Sequence, residues 1–410
     1  MIHLFLFDVD GVLVDARAYL KALQDTVAHF ARQMGLGRVC DPPTEEEVRV
    51  FEANGLTSEW DSGPTCVAAL LLERLRVCNQ PSLVLPSHWP DALATLAAQP
   101  PPGGSISRPG YVALARKVGQ RLADGASPAQ AARAVLLEEA LAIPGLEHAQ
   151  PALVALLDTL LGHVHDFYRA PVTRHFQHLA IGSQAVAQTY GVSPDFESPA
   201  YLLRYDRPLL TPATRTRLHD SQVRAALYTT RPSLPPAEAG EPAKRPSGTA
   251  NGYSPEAEMA RSLVGLEAWP LVGRGRMRWL AQRTGEDLDG LIKPFPVQAL
   301  AAIGAASSGR EADALEAALA LHRQDQLRPP LADLGAVTLH VFEDNASGLV
   351  ATERGVEALR RAGTTVTWRP YGIAPANSPK ATALTARGAP VYPSVNEAVL
   401  DALKDVLKER

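Results

Sequence analysis

Two carboxylates one residue apart, Asp8 and Asp10, stand where an apolar run stops, in Leu4-Phe5-Leu6-Phe7-Asp8-Val9-Asp10-Gly11. Four large apolar residues in succession read as a strand buried on both faces, as in a parallel sheet. Ligands of open α/β sheets collect at the carboxyl ends of the strands. The spacing therefore places both acids at the mouth of a site, and Gly11 lets the chain turn away sharply. Carboxylates so placed can attack an electrophile, move a proton or hold a hard cation. Three later points carry residues of the same kind. Arg224-Ala225-Ala226-Leu227-Tyr228 reads as a strand and ends in Thr229, followed by Thr230, Arg231 and Pro232. Lys293 sits in Gly290-Leu291-Ile292-Lys293-Pro294-Phe295-Pro296. Val337-Thr338-Leu339-His340-Val341-Phe342 ends in Glu343-Asp344. Read singly, each has a plainer alternative: an acidic turn, a hydroxyl turn at a strand end, a solvated ammonium, a charged turn.

Taken in order, the four segments resemble the motifs of the haloacid dehalogenase (HAD) superfamily, whose members are mostly magnesium-dependent phosphohydrolases. Asp-x-Asp-Gly-Val-Leu-Val-Asp at 8–15 is similar to the first motif and Thr229 to the second. Lys293 in Lys-Pro-x-Pro is similar to the third, and Glu343-Asp344 in Glu-Asp-x-x-x-Gly to the fourth. The resemblance implies that Asp8 is a nucleophile forming an aspartyl-phosphate, and that Asp10 is the general acid and base. It implies that Thr229 and nearby backbone N–H groups bind the phosphoryl oxygens. Lys293 then offsets the repulsion between carboxylate and phosphate. The implied cofactor is Mg²⁺, held by Asp8, the main-chain carbonyl of Asp10, Asp344 and Glu343, the last directly or through water. An acid at Asp10 argues against dehalogenation, because the family's dehalogenases lack one there. The expected activity is hydrolysis of a small phosphorylated metabolite. A phosphomutase of the same fold, or a non-catalytic binding protein that retains it, are the alternatives.

The elements that must position these residues follow from periodicity. After Asp15 the pattern turns helical, with Tyr19, Leu20, Leu23, Val27, Phe30 and Met34 at helical spacing. Thr44-Glu45-Glu46-Glu47 has the capping-box form, Gly55 is a helix stop, and Ser127-Pro128 opens another helix. Residues 66–77 and 151–167 read as two more helices, and 99–104 as a loop or linker. From about 200 onward, strands alternate with helices, which means βαβ units and a parallel sheet. The expected architecture is α/β: a Rossmann-like parallel-sheet core of the HAD type at 1–15 and 206–410. A large, mostly helical cap at 16–205 is inserted after the first strand. Residues 232–251, rich in Pro, Ala, Gly and charge, read as a mobile loop of the core.

Several side chains are more ambiguous. Asp15 reads as a cap for the first helix. Residues 54–61 are similar to a Gly-x-Asn-x-Asp-Trp-Asp stretch of some helical-capped members. This polar turn brings Trp60 and Asp61 to the substrate, or else joins two helices with Trp60 buried. Arg231 adds charge for substrate or pairs on the surface. His163, His165, His175 and His178 cluster in sequence, but His163 and His165 are two apart and would point apart on a helix, against a second metal site.

Composition narrows the classes. Of the 410 residues, 46% are apolar, which supports a globular core of more than one domain. Net charge is −4 with no basic block, so neither nucleic acid nor a membrane surface is an expected partner. A small phosphate ester is. The three cysteines have no metal-ligand spacing and form no even disulfide set, which fits a reducing compartment. With no basic leader and no membrane-spanning run, the reading is a soluble, cytoplasmic protein; the sequence is silent on its oligomeric state.

Overall fold

The strand that opens the chain, β1 (Ile2–Phe7), becomes the centre of a six-stranded sheet. The other strands are β2 (Val14–Asp15), β3 (Arg207–Pro208), β4 (Arg224–Tyr228), β5 (Leu271–Val272), β6 (Val337–Glu343), β7 (Val366–Ile373) and β8 (Val391–Tyr392). The sheet order is β5-β4-β1-β6-β7-β8 and every pairing is parallel. β2 and β3 form a separate antiparallel pair, Val14 opposite Pro208 and Asp15 opposite Arg207. The computed structural model describes residues 2–36, 41–78, 83–99, 108–123, 125–221, 223–239 and 252–408. Strand order reverses at β1, whose neighbours are β4 on one side and β6 on the other. The carboxyl ends of these three strands therefore flank the switch point where such sheets bind ligands.

Both faces of the sheet are covered. Leu4, Leu6, Ala226, Leu339 and Val341 pack into one apolar cluster with Val297, Leu300 and Ala301 of the helix Pro296–Ser308. Phe5, Phe7, Leu227 and Phe342 pack into the other with Trp269, Val399 and Leu403. Alternate residues of β1 thus serve opposite faces, which is why the run reads as continuously apolar. Phe7 stacks on Phe342 with ring centroids 4.5 Å apart, and Phe5 on His340 at 4.6 Å.

Chain contacts divide the molecule into two units. One takes residues up to Arg17 and from Leu202 onward, and the other spans Ala18–Tyr201. The second is built of helices: Ala18–Gln33, Glu45–Ala53, Glu59–Val77, Trp89–Ala98, Tyr111–Leu122, Pro128–Leu141, Gln150–Leu161 and Pro171–Tyr190. Thr44 and Glu47 form the capping box, as do Ser127 and Gln130. The last helix is kinked at Gly182 (φ 81°), where a Cβ would lie 2.6 Å from Ala200 N. Only glycine meets both demands.

Several boundaries differ from the sequence reading. The helix expected over 66–77 begins at Glu59 and runs through Gly63-Pro64, two residues of low helix propensity. Ser58 caps it, and Leu23 packs against the bare Cα of Gly63. The helix expected over 151–167 ends at Leu161. β7 continues through Pro370 to Ile373. β8 pairs only with Gly372 and Ile373, so the outer edge at Pro370 needs no donor. Asp15, read as a helix cap, lies in β2, and its side chain pairs with that of Arg17. The loop expected to be mobile is pinned at its start. Ser233 is buried, its Oγ accepts from Gly275 N–H at 2.9 Å, and Pro232 O accepts from Ala257 N–H at 2.9 Å. The rest of that loop, 240–251, the linker at 100–104 and Cys40 lie outside the described residues. Cys66 and Cys78 are buried free thiols, and burial pushes both above the usual thiol range. No helix among the described residues is long and apolar enough to cross a membrane.

One buried and one half-buried histidine make stability depend on pH. His340 in β6 lies 3.0 Å from His3 Nδ1, and burial with the neighbouring His3 and Arg369 pushes its pKa down to about 3. In the helical unit, His175 stacks on His29 at 3.9 Å, and burial followed by His29 also pushes it to about 3. Both titrate at 6.5 when unperturbed, so between pH 6.5 and 3 the unfolded chain binds more protons than the folded one. Stability is full above 6.5 and is lost as pH falls through that window. At pH 5 the loss is on the order of 2 kcal/mol per histidine. Urea unfolding at pH 7 and pH 5 should show a lower midpoint at pH 5, and His340→Gln with His175→Gln should flatten the difference. An undiminished slope in the double variant would contradict this account.

Candidate active site

β1 carries Asp8 to the end of the ladder, where its N–H donates to Phe342 O at 3.0 Å. The chain then curls into one tight turn: Leu13 N–H and Val14 N–H both donate to Val9 O at 2.9 Å. Asp8 Oδ1 accepts from Val9 N–H at 2.8 Å, which fixes the carboxylate against the turn. Gly11 has φ +73°, and a Cβ there would lie 2.3 Å from Asp344 Oδ2. The turn can therefore approach the end of β6 only with glycine at this position.

Three buried carboxylates meet at these strand ends. Asp8, Glu343 and Asp344 each present an oxygen within 4.8 Å of the others. Lys293 Nζ lies 3.1 Å from Asp8 Oδ1 and 2.7 Å from Glu343 Oε1. The same ammonium sits 3.8 Å over the Tyr228 ring, and the Tyr228 hydroxyl donates to Glu343 Oε1. Glu343 Oε2 is buried without a hydrogen-bond partner. Gly348 makes room for this side chain, since a Cβ there would come within 1.7 Å of Glu343 Oε1. Asp344 accepts from Asn345 Nδ2 at 3.1 Å and is paired with the exposed Lys380.

The charges are strongly interdependent. Burial, then the nearby Glu343 carboxylate, holds Asp8 well above the usual carboxylate range, with Lys293 pulling the other way. Burial alone would lower Lys293, but Asp8 and Glu343 outweigh it and its pKa is raised. Burial followed by Glu343 also lifts the Tyr228 phenol. The site is thus poorer in positive than in negative charge, and a further cation would favour the ionised form of Asp8.

Thr229 closes β4. Its N–H donates to Val272 O at 3.1 Å, and its Oγ1 accepts from Arg231 N–H at 3.1 Å. The hydroxyl therefore makes the turn at the strand end and keeps its own hydrogen to donate. Gln298 Nε2 stitches two strand ends together by donating to Thr229 O at 2.8 Å and Val272 O at 3.0 Å.

Arg231 does not pair on the surface, one of its two sequence readings. Its side chain is 2% exposed. The guanidinium Nε lies 3.0 Å from both carboxylate oxygens of Asp10, and Nη2 binds Asp10 Oδ1 and, at 3.0 Å, Asp206 Oδ2. The fork pins the Asp10 carboxylate, which is itself 39% exposed. Asp206 is wholly buried, and its other oxygen accepts from Arg17 N–H at 2.9 Å. Chain direction explains the placement: Thr229 faces the switch point, and two residues later the side chain lies beside the turn that carries Asp10.

Trp60 and Asp61 belong to the helical unit. They occupy the first turn of the helix Glu59–Val77 rather than a loop between helices. Trp60 is half-buried, with Nε1 donating to Gln177 Oε1 at 3.3 Å and its ring edge-on to Phe176. Asp61 is buried, 3.6 Å from His165 Nε2. His178 is built into its helix: Nδ1 lies 2.9 Å from Arg174 O and Nε2 accepts from Asp195 N–H. Among the described residues, Asp8, Glu343 and Asp344 form a group that could hold a metal ion, and no histidine joins such a group.

Tyr228, Gln298 and Asp206 were not singled out in the sequence. A glutamine inside the alanine-rich run at 296–308 was a visible signal, because a buried amide must find partners. Asp206 gave none. No protein-family model, curated protein or solved structure matches the chain.

Arg231 lies between two carboxylates, so its removal should expose the cost of burying Asp206. Arg231→Leu is expected to lower unfolding free energy by about 3–5 kcal/mol, because a buried charge loses its partner. Adding Asp206→Asn, which keeps an acceptor for Arg17 N–H, should restore part of that loss in urea titrations. Equal losses in the single and double variants would contradict the pairing.

Proposed function

We propose that this protein is a Mg²⁺-dependent phosphohydrolase of the haloacid dehalogenase type, with residues 16–205 as its helical cap. It acts on a small phosphate monoester through an aspartyl-phosphate on Asp8. The observation that supports this reading most is the buried Asp8–Lys293 pair beside Glu343 and Asp344 at the end of the central strand. A phosphate ester is a dianion attacked by an anion, so its hydrolysis needs fixed positive charge at the nucleophile. The cluster is also a fitting seat for a hard cation: three carboxylates converge, and Glu343 Oε2 is a buried acceptor with nothing to accept. Asp8, Asp344 and Glu343 would hold Mg²⁺, which supplies charge neutralisation at the transferring group.

In this reading Asp8 attacks phosphorus, and the bond from phosphorus to the leaving oxygen breaks. Asp10 gives its proton to that oxygen. Asp10 then takes a proton from water, which attacks the phosphoryl group on Asp8 and releases inorganic phosphate. Arg231 sets the direction of the Asp10 carboxylate, and Lys293 stays beside the nucleophile throughout. Thr229 offers its hydroxyl hydrogen to a phosphoryl oxygen.

A generic aryl phosphate should be hydrolysed with Mg²⁺ present and not after chelation, and added Mg²⁺ should restore turnover. Asp8→Asn should lower kcat by at least about a thousandfold, and Lys293→Met should have a similar effect. Full activity in Asp8→Asn would overturn the assignment of the nucleophile.

A further inference from the structure

Glu343 is held by one of its two carboxylate oxygens. Oε1 accepts from the Tyr228 hydroxyl and lies 2.7 Å from Lys293 Nζ. Oε2 is buried in the same residue, which is 0% exposed, and has no hydrogen-bond partner. The wall behind the carboxylate is the bare Cα of Gly348, where even a methyl group would collide with both oxygens. The terminal torsion of a glutamate is ordinarily soft and broad. Here two donors on Oε1 and a tight wall fix it, so that a single oxygen is left for a ligand.

Cations differ in what they accept from such a group. Mg²⁺ demands near-ideal octahedral geometry at about 2.0–2.1 Å. Ca²⁺ takes more oxygens, at about 2.3–2.6 Å, and readily binds both oxygens of one carboxylate. A glutamate that can offer one oxygen suits the first ion and handicaps the second. We infer that Tyr228 is a positioning residue that makes Glu343 a one-oxygen ligand and thereby selects Mg²⁺ over Ca²⁺ at the Asp8–Glu343–Asp344 cluster. This rests on the reading of that cluster as a cation seat.

Tyr228→Phe isolates the hydroxyl, because the ring remains over Lys293. The full chain is titrated calorimetrically with MgCl₂ and, separately, with CaCl₂. The wild-type chain should bind Mg²⁺ more tightly than Ca²⁺. In Tyr228→Phe, Mg²⁺ affinity should fall about tenfold, as expected when an outer partner of a ligand is lost. Ca²⁺ affinity should hold or rise, so the ratio moves toward Ca²⁺. General loosening of the site would weaken both ions alike and leave the ratio unchanged, and that result overturns the inference while the cation seat stands. Tyr228→Met removes the same hydroxyl and should shift the ratio in the same direction if the Phe variant fails to fold. A wild-type chain that takes Ca²⁺ as tightly as Mg²⁺ overturns the inference without any variant. Binding of neither ion overturns it together with the reading beneath it.

Discussion

Burying Lys293 Nζ beside Asp8 and Glu343, over the face of Tyr228, places one ammonium among three carboxylates where little water enters. Desolvating these groups is expensive, and their mutual attraction offsets it only if the geometry is held closely. The surrounding structure can be understood as the means of holding it. β1 and β6 deliver two acids from adjacent strands in register, Phe7 opposite Phe342. The Tyr228 ring from β4 lies under the ammonium. Gly11 and Gly348 remove the two Cβ atoms that would keep the acids apart.

A second charged network lies on the other side of the turn after β1. Arg231 joins Asp10 to Asp206, and Asp206 holds the backbone of Arg17, next to the two-residue ladder of β2 and β3. The main-chain segments that leave and rejoin the sheet-bearing unit are thus tied to the residue two positions beyond Asp8. Each network is anchored to strand ends rather than to mobile side chains. Gln298 does the same for Thr229 by bonding the carbonyls of two neighbouring strands. Sites set on strand ends gain precision from the sheet, because the ladder fixes where each side chain begins.

What could be read before folding was whatever depends on nearest neighbours in sequence. The apolar run at 4–7 announced a doubly buried strand, and the Thr44–Glu47 pair and the Ser127-Pro128 step announced helix starts. Each rests on a local pattern of burial or capping. Errors arose where packing overrode a local preference. Gly63-Pro64 sits inside a helix because neighbouring residues pack against it, and Pro370 lies in a strand because its edge has no partner. Asp15 has the right composition for a cap, and its backbone is paired with Arg207 in the β2–β3 ladder.

The chain alone determined which chemical groups were available and that several stood at the ends of strands, since period and residue type fix secondary structure and its termini. It did not determine which groups would meet. That Arg231 turns to Asp10, that Tyr228 binds Glu343, and that Glu343 keeps one oxygen unsatisfied follow from strand order and from residues more than a hundred positions apart. Partner choice of that kind is a property of distance in space, and only the assembled sheet sets those distances.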